Sequence, residues 1–199
     1  MSRCIFRVGD SFVLYFLGKT RKLVATTKNC LQTQPCNSGA CLRNLRKWKT
    51  SIVLLPLSLY YCINYGKYTL LDNADLVIHE AGHVFFYFFG QFIHMAGGTL
   101  MQILLPLLIV WYFIKSGYLT GTQFSLFWLA HNFLNISVYA GDAEKRALPL
   151  LGNGTHDWYY MLSRLGILDY SEAVSALFFL IALIVFILSI ITPVFRRSI

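Results

Sequence analysis

The stretch DNADLVIHEAGHVFFYFFGQFIH, from Asp72 to His94, sets two aspartates, a glutamate and three histidines inside a chain that is 56% hydrophobic and only 13% charged. An ionisable side chain at mid-bilayer costs about 2.5 to 3.5 kcal/mol on insertion scales, so such groups persist where protein surrounds them. The helical period meets that demand. Asp72, Asp75, His79, His83, Tyr87, Gly90 and His94 recur at spacings of three and four and share one face, while Leu76, Val77, Val84, Phe85, Phe88 and Phe89 cover the others. The polar face is expected to line a protein interior.

Apolar runs of spanning length lie near residues 50 to 66, 73 to 95, 98 to 115, 122 to 140 and 171 to 194. They predict an all-α, polytopic membrane helix bundle of about five transmembrane helices. Gly97 and Gly98 are read as separating the second helix from the third, and Gly117 and Gly121 as bracketing the turn into the fourth. Between Gly141 and Tyr170 the chain turns polar, and WYYMLSRLGIL is expected as one interfacial helix with its rings at headgroup depth.

Residues 1–49 form a basic extension, read as poorly ordered, before a membrane domain over 50–199. Residues 1 to 50 hold ten of the seventeen basic residues and only Asp10 among the acids. A short mixed tail without a reader motif argues against nucleic-acid binding and for a cytoplasmic flank lying on anionic lipid. Cys4, Cys30, Cys36 and Cys41 lie there at spacings that fit neither a disulfide scaffold nor a cysteine metal site, and are expected as reduced thiols. The expected location is an integral, multi-pass membrane protein with its N-terminus cytoplasmic and the lipid bilayer as its main partner.

His79-Glu80-Ala81-Gly82-His83 is an HExxH pattern. Histidines four apart on a helix can point one ring nitrogen each at one metal ion, with the glutamate beside them to accept a proton from water. A polar helix end at the membrane interface is the simpler alternative. Asp75, one turn before His79, can orient its imidazole or serve as a helix N-terminal charge. His94 is read as a loop-end residue.

Zinc takes a third protein ligand and leaves a fourth position for water. Three candidates remain open: Asp142, His131 and His156. Depth along parallel helices favours His131, and Asp142 lies about 16 Å further along by helical rise. His156 and Asp157, in THDW, either complete the site or open the interfacial helix with Thr155 as its cap. Asn135 or His131 could donate to an oxyanion.

From Leu76 to Thr99 the HEAGH helix and the glycine-rich GQFIHMAGGT resemble the site-2 protease family of intramembrane zinc metalloproteases. The resemblance implies His79 and His83 as zinc ligands, Glu80 as the catalytic general base, and Asp142 in YAGDAEKRALP as the late aspartate that completes the site. It also implies hydrolysis of a peptide bond in a partly unwound segment of a membrane-protein substrate. A likeness to small bacterial membrane proteins with this motif and a later HDW implies a bacterial inner (plasma) membrane.

The principal alternative is a noncatalytic membrane metal-binding or ion- or proton-transport protein that keeps the HExxH helix. A di-iron oxygenase is disfavoured, because five histidines without clustered boxes fall short of its ligand set.

Overall fold

A computed structural model describes residues 47–149 and 155–195. The basic extension, apart from Lys47 to Lys49, lies outside the described residues, as do the four tail cysteines. Among the described residues the chain is all-helical: α1 Lys49–Ile63, α2 Leu70–Phe86, a 3₁₀ turn Tyr87–Phe89, α3 Gln91–Ser116, α4 Leu119–Gly141, α5 Asp157–Leu165, a 3₁₀ turn Leu168–Tyr170 and α6 Ser171–Phe195.

Local chemistry sets the ends. The Thr69 N–H and hydroxyl both donate to Asp72 Oδ2, at 2.6 Å each, which occupies orphan donors where α2 begins. Gly117 and Gly166 end α3 and α5 with φ of 68° each, a left-handed conformation that only glycine adopts without cost.

One boundary differs from the sequence reading. The break between the second and third helices falls at Gly90, whose φ is 90°, and not at Gly97 and Gly98. Those two glycines lie inside α3, against α2. A Cβ on Gly82 would overlap the Gly97 carbonyl, and a Cβ on Gly98 would overlap the His79 ring. Small residues here serve close helix packing, with the turn placed one helical segment earlier.

Helix α4 is the centre. It packs most extensively on α6, then on α3, and also touches α1, α2 and α5. Its buried face mixes Phe127, Leu129 and Leu134 with Gln123, His131 and Asn132. The polar members have partners: Gln123 Nε2 donates to Ser51 Oγ at 2.8 Å and to the Ser189 carbonyl at 3.0 Å, tying α1, α4 and α6 together. The outer face of α6 is the reverse, with Leu177, Leu180, Ile184 and Ile187 each at least half exposed. Large apolar side chains outside and polar ones inside, most of them hydrogen-bonded, invert the usual soluble arrangement.

Two helical segments are long and apolar enough to cross a membrane, Gln91–Ser116 and Leu168–Phe195, with mean hydropathies of 1.8 and 3.1. These match two of the five expected spans. The other three fall short by that measure: α1 has 15 residues, α2 has 17 and carries Asp72, Asp75 and Glu80, and α4 is diluted by its polar core residues. Helix α5 covers most of the expected interfacial segment and buries Trp158, Met161 and Leu162 against Ile136 and Ala140 of α4.

Candidate metal centre

His79 and His83 project from α2 on one side, with ring centroids 4.8 Å apart. The chain returns after α4 so that Asp157, the first residue of α5, meets both. Asp157 Oδ2 lies 2.9 Å from His79 Nε2 and 3.1 Å from His83 Nε2. Tyr139 of α4 holds the carboxylate in place: its hydroxyl accepts from the Asp157 N–H at 3.2 Å and lies 3.4 Å from Oδ2. Burial opposes the charge on Asp157, but where the two imidazoles donate to it they hold its carboxyl below the usual carboxylate range.

The outer nitrogens decide what the inner ones can do. His83 Nδ1 faces the His94 carbonyl at 2.8 Å, an acceptor only, so it carries the proton; His94 Nδ1 returns a bond to the His83 carbonyl at 2.9 Å. His79 Nδ1 faces Gln102 Oε1 at 3.0 Å, because the Gln102 amide nitrogen donates to Asn135 Oδ1 at 2.9 Å. When the rings are neutral, this arrangement leaves lone pairs at both Nε2 atoms; when they carry a second proton, each Nε2 donates to Asp157 instead. In the neutral form, three acceptors, two nitrogens and a carboxylate oxygen, converge on one point.

That arrangement calls for a cation. All three ligand atoms lie within 4.8 Å of one another. Zinc–nitrogen bonds of about 2.1 Å arranged tetrahedrally put ligand atoms about 3.4 Å apart, close to the spacing here. Two imidazoles, one carboxylate and an open side are a donor set that could hold a zinc ion and keep a place for water. The hydrogen bonds from Nδ1 to Gln102 and to a backbone carbonyl are the outer contacts that metal-bound histidines make.

The open side faces a cavity of about 670 Å³ lined by Glu80, His94, Tyr65 and Lys67 as well as by the three ligands. Glu80 is exposed to it, next in sequence to His79.

The other sequence candidates stand elsewhere. Asp142 caps the end of α4, with Oδ1 accepting from the Ala147 N–H at 2.9 Å and Oδ2 from the Leu148 N–H at 3.0 Å. His156 caps α5, its Nδ1 accepting from the Tyr159 N–H at 3.3 Å, and its Nε2 is 3.4 Å from Asp142 Oδ2 without hydrogen-bond geometry. Burial pushes the His156 pKa down, which suits that acceptor role. His131 Nδ1 donates to Asp75 Oδ2 at 2.7 Å, while Trp128 Nε1 donates to Asp75 Oδ1 at 2.8 Å. Asp75 therefore orients His131 and not His79. Asn135 is committed at both ends, to Asp72 and Gln102, and is no free donor.

Of the pair in THDW, the structure brings Asp157 to the histidines and leaves His156 as the cap. Gln102 and Tyr139 were not singled out from the sequence. A lone amide in the apolar run LMQILLPLL is the one signal that pointed to Gln102.

Against known proteins, the chain matches no protein-family model, no curated protein and no solved structure.

Proposed function

We propose that this chain is a polytopic membrane protein of about five spans that binds one zinc ion through His79, His83 and Asp157 and hydrolyses a peptide bond in a membrane-embedded substrate. The convergence of three lone-pair donors beside Glu80 supports this most directly. The apolar exterior supports the membrane setting, and the basic tail supports a cytoplasmic N-terminus in an inner membrane.

Zinc bound there would supply a water of pKa roughly 7 and a Lewis acid for a carbonyl oxygen. Glu80 takes a proton from the attacking water and returns it to the leaving amine, the role its exposure to the cavity allows. Gln102 and the His94 carbonyl hold the imidazoles with Nε2 free, and Tyr139 keeps Asp157 from swinging away. The cavity lies within the usual range for small-ligand sites and admits an extended segment, so a helical substrate must unwind to present its carbonyl.

The test is zinc content and hydrolysis of fluorescently labelled casein by detergent-purified protein, wild type beside Glu80→Gln. One zinc per chain in both, with hydrolysis by the wild type alone, is the expected result. Hydrolysis that survives Glu80→Gln removes Glu80 as the base. Zinc without hydrolysis in the wild type favours a noncatalytic metal or ion-transport site, a reading supported by the polar chain that runs from His79 through Gln102 and Asn135 to Asp72.

A further inference from the structure

Asp72 lies seven residues before His79 on α2, yet the two are joined through α3 and α4 by three hydrogen bonds in series. Asn135 Nδ2 donates to Asp72 Oδ1 at 3.0 Å, Gln102 Nε2 donates to Asn135 Oδ1 at 2.9 Å, and His79 Nδ1 faces Gln102 Oε1 at 3.0 Å. A carboxylate only accepts, and a carboxamide has one accepting and one donating end. Fixing the Asp72 end as an acceptor therefore fixes every link. Gln102 is 1% exposed, so water has little room to replace either of its partners.

We propose that Asp72 is a remote positioning residue that sets the tautomer of His79. With an acceptor at Asp72 Oδ1, a neutral His79 keeps its one proton on Nδ1 and turns the Nε2 lone pair toward Asp157. Were a donor to replace that oxygen, Asn135 and Gln102 would both turn over. The Gln102 amide nitrogen would then face His79 Nδ1, and the imidazole proton would move to Nε2, where it donates to Asp157 Oδ2. A ring in that state has no lone pair at the metal position. The chain thus has two self-consistent directions, and only one of them leaves His79 able to ligate. The consequence for zinc rests on the metal reading above; the tautomer does not.

Asp72→Asn tests this, because the Thr69 N–H, 2.6 Å from Oδ2, keeps an acceptor at that end and so turns the new amide group toward Asn135. Adding Gln102→Glu moves the carboxylate to the other end of the chain: Asn135 then donates to Glu and accepts from Asn, and His79 Nδ1 again faces an acceptor. The first readout is the ¹⁵N spectrum of the imidazoles in metal-free, detergent-solubilised full-length protein, with His79 assigned by single-histidine replacement. The second is zinc affinity.

We expect the Nδ1–H form in wild type, the Nε2–H form in Asp72→Asn, and the Nδ1–H form again in the double variant. Zinc affinity should fall roughly 10- to 100-fold in Asp72→Asn, as for other losses of an outer-shell partner, and return to within roughly threefold of wild type in the double variant. An Nε2–H form in the wild type overturns the proposal without any variant. So does an affinity loss in Asp72→Asn that the second substitution fails to restore, which would reduce Asp72 to its capping role at α2. The expected tautomers in a wild type that binds no zinc would uphold the proposal and discard the metal centre.

Discussion

Two buried clusters of histidine and aspartate sit along α2, and they are opposites in hydrogen-bond balance. Around Asp75 the carboxylate oxygens have donors: Trp128 and His131 take the two of Asp75, and Asp72 nearby is served by Thr69 and Asn135. Around Asp157 the two imidazole nitrogens and one carboxylate oxygen converge, and neutral rings leave all three as acceptors. The residue types are the same. What differs is where the far nitrogen of each ring points: to a carbonyl for His79 and His83, to no hydrogen-bond partner for His131, whose Nε2 stands 3.8 Å from Asp72. Both groups bring their ligand atoms within 4.8 Å of one another, but carboxylates already donated to hold helices together, whereas neutral rings facing a carboxylate leave room for a cation.

The largest expected effect would break this contrast outright if it failed. His79→Ala and Asp157→Asn should each lower zinc affinity by more than about a hundredfold, since each removes a ligand and not an outer contact. Asp75→Asn should keep one zinc per chain. Metal analysis of the three purified proteins decides the matter, and loss of zinc from Asp75→Asn would mean that the clusters act as one site.

Asp75→Asn has its own cost. Asp75 is 0% exposed, and Asp75→Asn replaces the acceptor of the buried His131 Nδ1–H, a change of about 1 to 3 kcal/mol for a buried hydrogen bond left unmade. Unfolding in detergent should show that loss with the metal still bound. An unfolding midpoint equal to wild type would show that the dense hydrogen bonding around Asp75 adds little to the bundle.

Gly98→Ala sharpens the contrast from the packing side. The added methyl overlaps the His79 ring, so either the ring shifts or α3 backs away from α2. Overpacking of this kind costs about 1 to 3 kcal/mol, and a displaced imidazole should also weaken zinc binding. A stability loss with unchanged zinc affinity would show that α3 moves and the ring does not.

Much of this was legible in the sequence. The HEAGH spacing placed both imidazoles on one face, and that placement follows from helical period alone. The run from 171 to 194 announced α6 by length and apolarity. One expectation failed, and for a physical reason. Gly97 and Gly98 read as a hinge because glycine signals both turns and close packing, and only the partner helix distinguishes them; Gly90, the real break, lay inside a run of phenylalanines. The carboxylate that meets both histidines was not singled out, because Asp157 belongs to α5 and no helical spacing relates it to α2. Helical rise from His131 says nothing about where the chain returns.

The smallest expected effect bears on that same choice. Asp142, the sequence candidate for third ligand, spends both oxygens on the Ala147 and Leu148 N–H groups that close the turn after α4. Asp142→Asn turns one of those acceptors into a donor facing a backbone N–H, so one hydrogen bond is lost at a cost of about 1 kcal/mol. The zinc content should not change, because the nearest imidazole to Asp142 is His156, whose Nδ1 is already occupied in capping α5. If zinc instead left Asp142→Asn and stayed in Asp157→Asn, the segment between α4 and α5 would have to fold so that Asp142 and Asp157 exchange places. The Tyr139 hydroxyl, which holds Asp157 by its backbone N–H, would then have lost its partner, and hydrogen exchange at that amide would report it.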